Sequence, residues 1–332
     1  MKTYATLGPA CREVNILVDM LRAGLTGFRL DLTRQALSEC GAWRELLRRA
    51  AEETGTAPEL LLDLRGREVY TGDLETPLPL KAGDSVSLGT DGIPLAPDVV
   101  QLLRPGMTIE LNDGALALEV TAAGTDTVPA RCRRSGTAES RMPVVLPGVE
   151  PERPAVSEKD LQDLSQAADF GATGIMFPFV RRRGDVEAIR RAMAACGAAH
   201  LTLLPKVESR AGLASLPEWM DLADVVIIAR KDLGNDLSLW RLPRAQKQIA
   251  ALCRQRKKPF LVVAQLLHSM IRQPSPTRAE VLDIYNACLD GAEALMLTGE
   301  TAQGHYPVES VAWLRRVARE GEADRQASIS RP

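Results

Sequence analysis

The chain has 332 residues, 45% of them hydrophobic and 25% charged, which fits a water-soluble globular protein of one large domain or two smaller ones. Lys plus Arg (41) nearly balances Asp plus Glu (43), so no nucleic acid or other polyanion is expected as a partner. No apolar run nears the roughly 20 residues of a membrane span, no signal-peptide pattern opens the chain, and Cys11, Cys40, Cys132, Cys196, Cys253 and Cys288 lack C-x-x-C spacing, so reduced thiols, no membrane association and a cytoplasmic location are expected.

Short apolar or β-branched runs alternate with longer amphipathic segments. Thr3–Leu7 reads as a strand, Val14–Arg22 as a helix, Gly27–Leu32 as a second strand, Ala36–Glu53 as one long helix and Leu60–Asp63 as a third strand. A stretch rich in Gly, Pro, Thr and Val then intervenes from Thr71 to Pro151. Within it, Ile109–Leu111 and Ala117–Val120 flank Asn112-Asp113-Gly114, a hairpin signal in which Asp113 is most simply a turn former. Alternation resumes with a helix over Ser157–Phe170, opened by Ser157 as N-cap and an acidic first turn. Strands are expected at Gly174–Phe177, His200–Pro205, Val225–Ala229, Phe260–Val263 and Ala294–Leu297. Helices are expected near Asp185–Ala195, Arg210–Asp221, Arg244–Arg256, Arg278–Asp290 and Val308–Arg319.

Eight strands and eight helices in strict alternation predict an α/β fold, a closed (β/α)8 TIM barrel with a small β-barrel-like lid domain inserted after strand three. An open doubly wound sheet also alternates, but the chain has no G-x-G-x-x-G turn. The expected boundaries are barrel over 1–70 and 154–323, lid over 71–153, and a loose tail over 324–332.

Active sites of parallel barrels lie at the carboxyl ends of the strands. There, strand two offers Arg29, Asp31 and Thr33 on one face, strand three Asp63, strand five Lys206 and Glu208, strand six Arg230, Lys231 and Asp232, and strand eight Thr298 and Glu300. Glu208 and Asp232, from adjacent strands, suit a divalent Mg2+ or Mn2+ completed by water and substrate oxygens, or each pairs with a nearby cation. Lys206 beside them either stabilises a phosphoryl or enolate oxygen or compensates charge.

Several of these segments resemble pyruvate kinases. They are Thr6-Leu7-Gly8-Pro9-Ala10, Leu146-Pro147-Gly148, Pro154-Ala155-Val156, Ser157-Glu158-Lys159-Asp160, Lys206-Val207-Glu208, Ala229-Arg230-Lys231-Asp232-Leu233-Gly234, Pro276-Thr277-Arg278-Ala279-Glu280 and the run from Leu297 through Gly299-Glu300-Thr301-Ala302 to Pro307. Together they cover about Lys2 to Glu320. The resemblance implies that Glu208 and Asp232 are the divalent-metal ligands, Lys206 the lysine at the transferring phosphoryl group and enolate, and Arg29 a phosphoryl contact. It places Asp31, Thr33 and Asp63 at a monovalent K+ site, Asp113 on the lid facing the barrel mouth, and Glu300, with Thr298, in the network serving proton transfer.

The chain departs from the family pattern at defined positions. Ala264 stands where a substrate-binding threonine is usual, Lys231 where a glycine's amide helps hold the substrate carboxylate, Tyr70 where an arginine meets nucleotide phosphate, Asp31 for asparagine and Pro178 for serine. Weak ADP binding is therefore expected, with Arg67 and Arg141 as the cations left to compensate. The family's C-terminal regulatory domain is expected to be missing. The implied function is Mg-dependent phosphoryl transfer between phosphoenolpyruvate and ADP. The alternatives are a decarboxylase, aldolase or lyase using metal-stabilised enolate chemistry on a 2-oxo acid without nucleotide, and a non-catalytic paralogue. The partner is a 2-oxo acid or enol phosphate, and a homo-oligomer is left open.

Overall fold

The computed structural model describes residues 1–329 apart from Arg34, Asp113, Gly148 and Glu150. Eight parallel strands close into a barrel in chain order: Lys2–Thr6, Gly27–Asp31, Glu59–Asp63, Gly174–Phe177, Thr202–Val207, Val226–Ala229, Phe260–Val263 and Ala294–Leu297, called strands one to eight below. Strand eight returns to strand one, with Lys2 opposite Ala294 and Ala5 opposite Leu297. The chain forms two compact units, one of Met1–Gly66 with the chain from Ala155 onward, the other of Arg67–Pro154. The TIM barrel with an insertion after strand three is thus the fold.

Side chains alternate across each strand, so one set fills the barrel and the other packs under the helices. Inside, Tyr4, Leu61, Leu204 and Leu261 come from strands one, three, five and seven. Their bulk needs small neighbours on the even strands. A Cβ at Gly27 would lie 2.9 Å from the Tyr4 ring, and one at Gly174 would lie 2.8 Å from Leu61 and 2.9 Å from Leu204. Outside, Phe28, Leu30, Leu62, Ile175 and Phe177 join the helix faces, such as Leu17, Met20 and Leu21 of the Val14–Arg22 helix, in the main core. Each such side chain stabilises the fold by about 1.5–3 kcal/mol. At the amino-terminal ends of the strands a cavity of about 680 Å³ opens beneath Tyr4, Leu61, Leu204 and Leu261. Glu59 in its wall already accepts hydrogen bonds from Tyr4 Oη and Lys2 Nζ, each at 2.5 Å.

The Arg67–Pro154 unit has its own core around Leu88, Ile109, Leu118 and Val128. Its six-stranded sheet includes the expected hairpin, Thr108–Leu111 against Leu116–Val120, with Leu111 opposite Leu116 and Asn112 in the left-handed region at φ 49°. Asp113 of that turn lies outside the described residues.

One carboxylate joins the two places where the barrel chain leaves for the insertion and returns from it. Asp160, fully buried, forms a capping box with Ser157 and opens the Glu158–Phe170 helix. The same carboxylate accepts from the backbone amides of Arg65 (3.0 Å) and Gly66 (3.1 Å), just beyond strand three.

Four local expectations are corrected. Strand five runs from Thr202 to Val207, so Lys206 is within it, rather than from His200 to Pro205. The segment 36–53 is not one helix: Leu37–Glu39 is a 3-10 turn, pinned by Asp163 accepting from the Leu37 amide (2.8 Å), and the helix begins at Gly41 and runs to Thr54. Strand six ends at Ala229 as expected, but the next helix does not wait until Arg244: a short helix, Arg230–Asp236, opens at once, with Arg230 and Leu233, one turn apart, both buried. The stretch expected as a loose tail is helical as far as Ile329, in a helix that starts at Pro307. Tyr285 donates to Asp324, and Arg325 donates to the Ala292 carbonyl at 3.3 Å, which docks that last part on the barrel.

Candidate active site

Strands two, three and five bring six of the expected residues into one network at their carboxyl ends. Arg29 donates Nε to Asp63 Oδ2 at 2.8 Å, and its Nη2 lies 2.7 Å from the same oxygen. A further bond runs from Nη2 to Asp31 Oδ2 at 3.0 Å. Thr33 donates both its amide (3.0 Å) and its hydroxyl (2.6 Å) to Asp31 Oδ1. Lys206 Nζ lies 3.1 Å from Asp63 Oδ1 and 3.1 Å from Glu208 Oε1. Glu208 Oε2 accepts from the backbone amide of Phe179, which is turned toward it by a left-handed φ of 50°. Asp63 and Glu208 are buried, and the side chains of Arg29 and Lys206 are 14% and 12% exposed. Around Asp63 and Glu208 this charged cluster is dry, and each ion has a partner, as burial demands.

Its electrostatics are uneven. Burial alone would lower the pKa of Lys206, but the Asp63 and Glu208 carboxylates outweigh it and hold the lysine above its usual range, so it is an ammonium. Burial pushes the Asp31 carboxyl up, yet the Arg29 guanidinium and the Thr33 hydrogen bonds overcome that and hold it below the usual carboxylate range. Glu208 goes the other way. Burial raises it first, and the charges of Asp232 and Asp63 add to that against Lys206 and the Phe179 amide, which leaves it at about 7. Burial is thus the main reason that the Glu208 carboxyl is raised. A divalent cation between Glu208 and Asp232 would correct this, and their oxygens suit Mg2+ or Mn2+. Among the described residues no group of three or more His, Cys, Asp or Glu side chains forms a protein-only cage. Two carboxylates with the remaining positions left to water and substrate is how Mg2+ is ordinarily held.

Strands six, seven and eight form the other side of the mouth. Asp232 is half-buried in the first turn of the Arg230–Asp236 helix, and Lys231 beside it is exposed. Nearby, Asp236 accepts from the Arg210 amide, and Asp31 accepts from Arg29 and Thr33. Ala264, buried, follows strand seven in a left-handed conformation, φ 78°, and its carbonyl accepts from Arg230. Glu300, buried, accepts from the amides of Thr298 (2.8 Å) and Leu267 (3.1 Å). Thr298 and Glu300 thus belong to a network of their own, with strand seven's loop. In the inserted unit, Arg67 donates Nε to the Arg153 carbonyl (2.9 Å) and Arg141 pairs with Asp73 (2.8 Å).

The sequence places Arg230 at the end of strand six but shows neither its partner Asp283 nor the Phe179 amide, and it marks Glu280 only as part of a family-like segment. Asp283 lies too far along the chain for any spacing to reveal it. The cysteines are unpaired, and burial pushes Cys253 and Cys288 up to about 12, which fits filling rather than nucleophilic attack.

A parallel barrel with buried lysine, arginine and carboxylates at its carboxyl-terminal mouth is the form of an acid-and-cation barrel site. The family profile described as pyruvate kinase, barrel domain, matches residues 1–311, and the chain belongs to the pyruvate kinase family. It is 34% identical to a pyruvate kinase of Bacillus licheniformis over 97% of this chain and 57% of that protein. It is 37% identical to one of Aeropyrum pernix over 96% of this chain and 70% of the relative. A cytosolic isozyme of pyruvate kinase from Glycine max is 34% identical over 97% of this chain and 66% of its own length. The chain thus spans a little over half to about two thirds of these relatives. Their names give no support to the expectation of weak ADP binding. No helix among the described residues is long and apolar enough to cross a membrane.

Proposed function

We propose that the chain carries the catalytic barrel of a pyruvate-kinase-type phosphotransferase, which moves a phosphoryl group between phosphoenolpyruvate and ADP through enolpyruvate. The reading rests on one observation: the continuous Arg29–Asp63–Lys206–Glu208 chain of ion pairs at the barrel's carboxyl end. Phosphoryl transfer asks little covalent chemistry of a protein and much charge placement. Arg29 would meet phosphoryl oxygens with its planar fork. Lys206, kept charged by its two carboxylates, would stand at the phosphoryl group and the enolate oxygen and neutralise charge as the enol P–O bond breaks. Asp63 holds these two cations side by side and oriented. Glu208 and Asp232 would hold Mg2+ or Mn2+, which when bound supplies charge neutralisation and Lewis acidity toward phosphoryl and enolate oxygens. Asp31, Thr33 and Asp63 offer the oxygen donors for K+. Thr298 and Glu300 would serve the proton step at the enol carbon, and Ala264, buried after strand seven, brings no hydroxyl of its own to that step. The cytoplasm is the proposed location, as the name of the Glycine max relative supports.

A second reading draws on Lys231, whose exposed charge beside Asp232 suits a second carboxylate, as in a 2-oxo diacid processed without nucleotide. Pyruvate formation from phosphoenolpyruvate, with and without ADP, tests the first reading. Deuterium exchange into the methyl group of pyruvate with Mg2+ is run beside it. ADP-dependent turnover supports the phosphotransferase. Exchange that ignores nucleotide, with no turnover of phosphoenolpyruvate, overturns it in favour of the second.

A further inference from the structure

Three successive strand–helix units reach across the mouth to hold one segment of backbone. Strand seven ends at Val263, and the chain then passes through two consecutive left-handed residues, Ala264 (φ 78°) and Gln265 (φ 55°). Neither is glycine, so each Cβ is set against a neighbouring carbonyl and the turn is disfavoured on its own. Arg230, in the turn after strand six, donates Nε (3.1 Å) and Nη2 (2.6 Å) to the Ala264 carbonyl. Its Nη1 is anchored on both oxygens of Asp283, at 2.8 and 2.6 Å, from the Arg278–Leu289 helix that follows strand seven. Farther along the same loop, the Leu267 amide donates to Glu300 of the turn after strand eight (3.1 Å). Ser269 gives its amide (2.7 Å) and hydroxyl (2.6 Å) to Glu280. Arg230 is only 8% exposed, so its forked grip is made in a water-poor setting where charge-assisted hydrogen bonds are strong.

We propose that Arg230 is a positioning residue that locks the left-handed Ala264–Gln265 turn to the turn bearing Asp232, so that the strand-six-to-eight wall of the mouth is fixed before substrate arrives. This rests on the reading that the mouth is the reaction site. Glu280 and Glu300 hold the later part of the loop by its amides. Arg230 alone among the three holds a carbonyl, and it does so at the strained step.

The test uses the full chain with Mn2+, as the parent, Arg230→Met, Arg230→Lys, Gln265→Gly and the Arg230→Met/Gln265→Gly double variant. Two readouts are taken: hydrogen exchange of the 264–271 segment without substrate, and kcat and KM for phosphoenolpyruvate with saturating ADP. Arg230→Met is expected to speed exchange of the Leu267 and Ser269 amides about tenfold. It should lower kcat on the order of 10- to 100-fold, the scale of a misplacement of about 1 Å, with a smaller change in KM. Glycine at 265 removes the steric objection to the left-handed turn. The double variant should therefore recover several-fold in kcat, and Arg230→Lys, a point charge without the fork, should fall between Met and the parent. Unchanged exchange in Arg230→Met overturns the proposal. So does a loss of kcat that glycine at 265 fails to relieve, because Arg230 would then be serving stability alone. If the parent turns over no phosphoenolpyruvate while Arg230→Met exchanges faster as expected, the phosphotransferase reading has failed and the clamp stands.

Discussion

Replacing Asp63 with asparagine keeps the shape of the site and removes the charge that holds Arg29 beside Lys206. Asp63 is 1% exposed, with Arg29 at 2.7 Å and Lys206 at 3.1 Å. Its loss sets two poorly solvated cations against each other. Breaking a buried pair by removing one partner costs about 3–5 kcal/mol, and like charges roughly 4 Å apart repel by about 4 kcal/mol at an effective dielectric constant near 20. Part of the cost is offset. Lys206 keeps Glu208 at 3.1 Å, and Arg29 keeps Asp31 at 3.0 Å, although that side chain is 36% exposed and its contribution is screened. The introduced amide still accepts a hydrogen bond through its oxygen. The expected loss is therefore the lower end of the range, about 3 kcal/mol. Urea unfolding followed by tryptophan fluorescence measures it in the right place, because Trp43, Trp219, Trp240 and Trp313 all lie in the barrel unit. With a slope of about 2–3 kcal/mol per molar, the midpoint should fall by about 1–1.5 M. Adding Lys206→Met to Asp63→Asn should cost less than the sum of the two single changes, since the second removes one of the stranded cations. A midpoint shift under about 0.3 M, or strict additivity, refutes the view that Asp63 holds the cluster together.

The metal assignment is checked by Mn2+ titration: Asp232→Ala and Glu208→Gln should each weaken binding at least about tenfold, in line with losing a charged ligand, and equal affinity in all three proteins sinks it. Because Glu208 in the metal-free protein is raised to about 7, protons compete with the cation below that pH. Mn2+ affinity should fall as pH drops from 8 to 6, with a proton released on binding at pH 6, by calorimetry in buffers of different ionisation enthalpy; a flat profile contradicts the assignment. Lys231→Gly should weaken oxaloacetate roughly tenfold more than pyruvate, a discounted value for an exposed charge, and an unchanged ratio of inhibition constants ends the diacid reading. Asp160→Ala loses the capping-box carboxylate that answers Ser157 and leaves the Arg65 and Gly66 amides unpaired, so the barrel should lose about 2–3 kcal/mol, measured by the same urea assay; a loss under about 0.5 kcal/mol would show water replacing the carboxylate.

The barrel was readable because its strands are short apolar runs with hard ends. Gly174–Phe177, Phe260–Val263 and Ala294–Leu297 fall where the sequence places them. Each is buried on both faces, so hydrophobicity alone marks it. Boundaries failed where a distant side chain sets the backbone. Asp163 breaks the 36–53 helix from more than a hundred residues away, and the helix at Arg230 follows from an inward guanidinium that a strand pattern treats as a polar stop. The charged half of the mouth was likewise legible, since Arg29, Asp31, Asp63, Lys206 and Glu208 end strands and alternate in period two. The pinned half was not. Its contacts run from side chains to backbone groups of strand seven's loop, and the left-handed turn at Ala264 and Gln265 carries no glycine to announce it.

Asp160 has a bearing on how such a chain can change over generations. It fastens the exit point at Arg65 and Gly66 to the re-entry point at Ser157, so the barrel's own fabric closes the gap that the insertion spans. A segment bounded by ends already fixed together owes the host little: lengthening it adds only a logarithmic loop-closure penalty, about 0.6 kcal/mol for each doubling. The inserted sheet, with its separate core, can therefore drift, be trimmed or be exchanged for another module while the barrel keeps its shape. A hybrid in which Gly66 is joined to Ala155 through a short glycine-serine bridge, or through a foreign domain with neighbouring termini, should retain the barrel. In that sense the insertion is a detachable guest, and one buried carboxylate is the clasp.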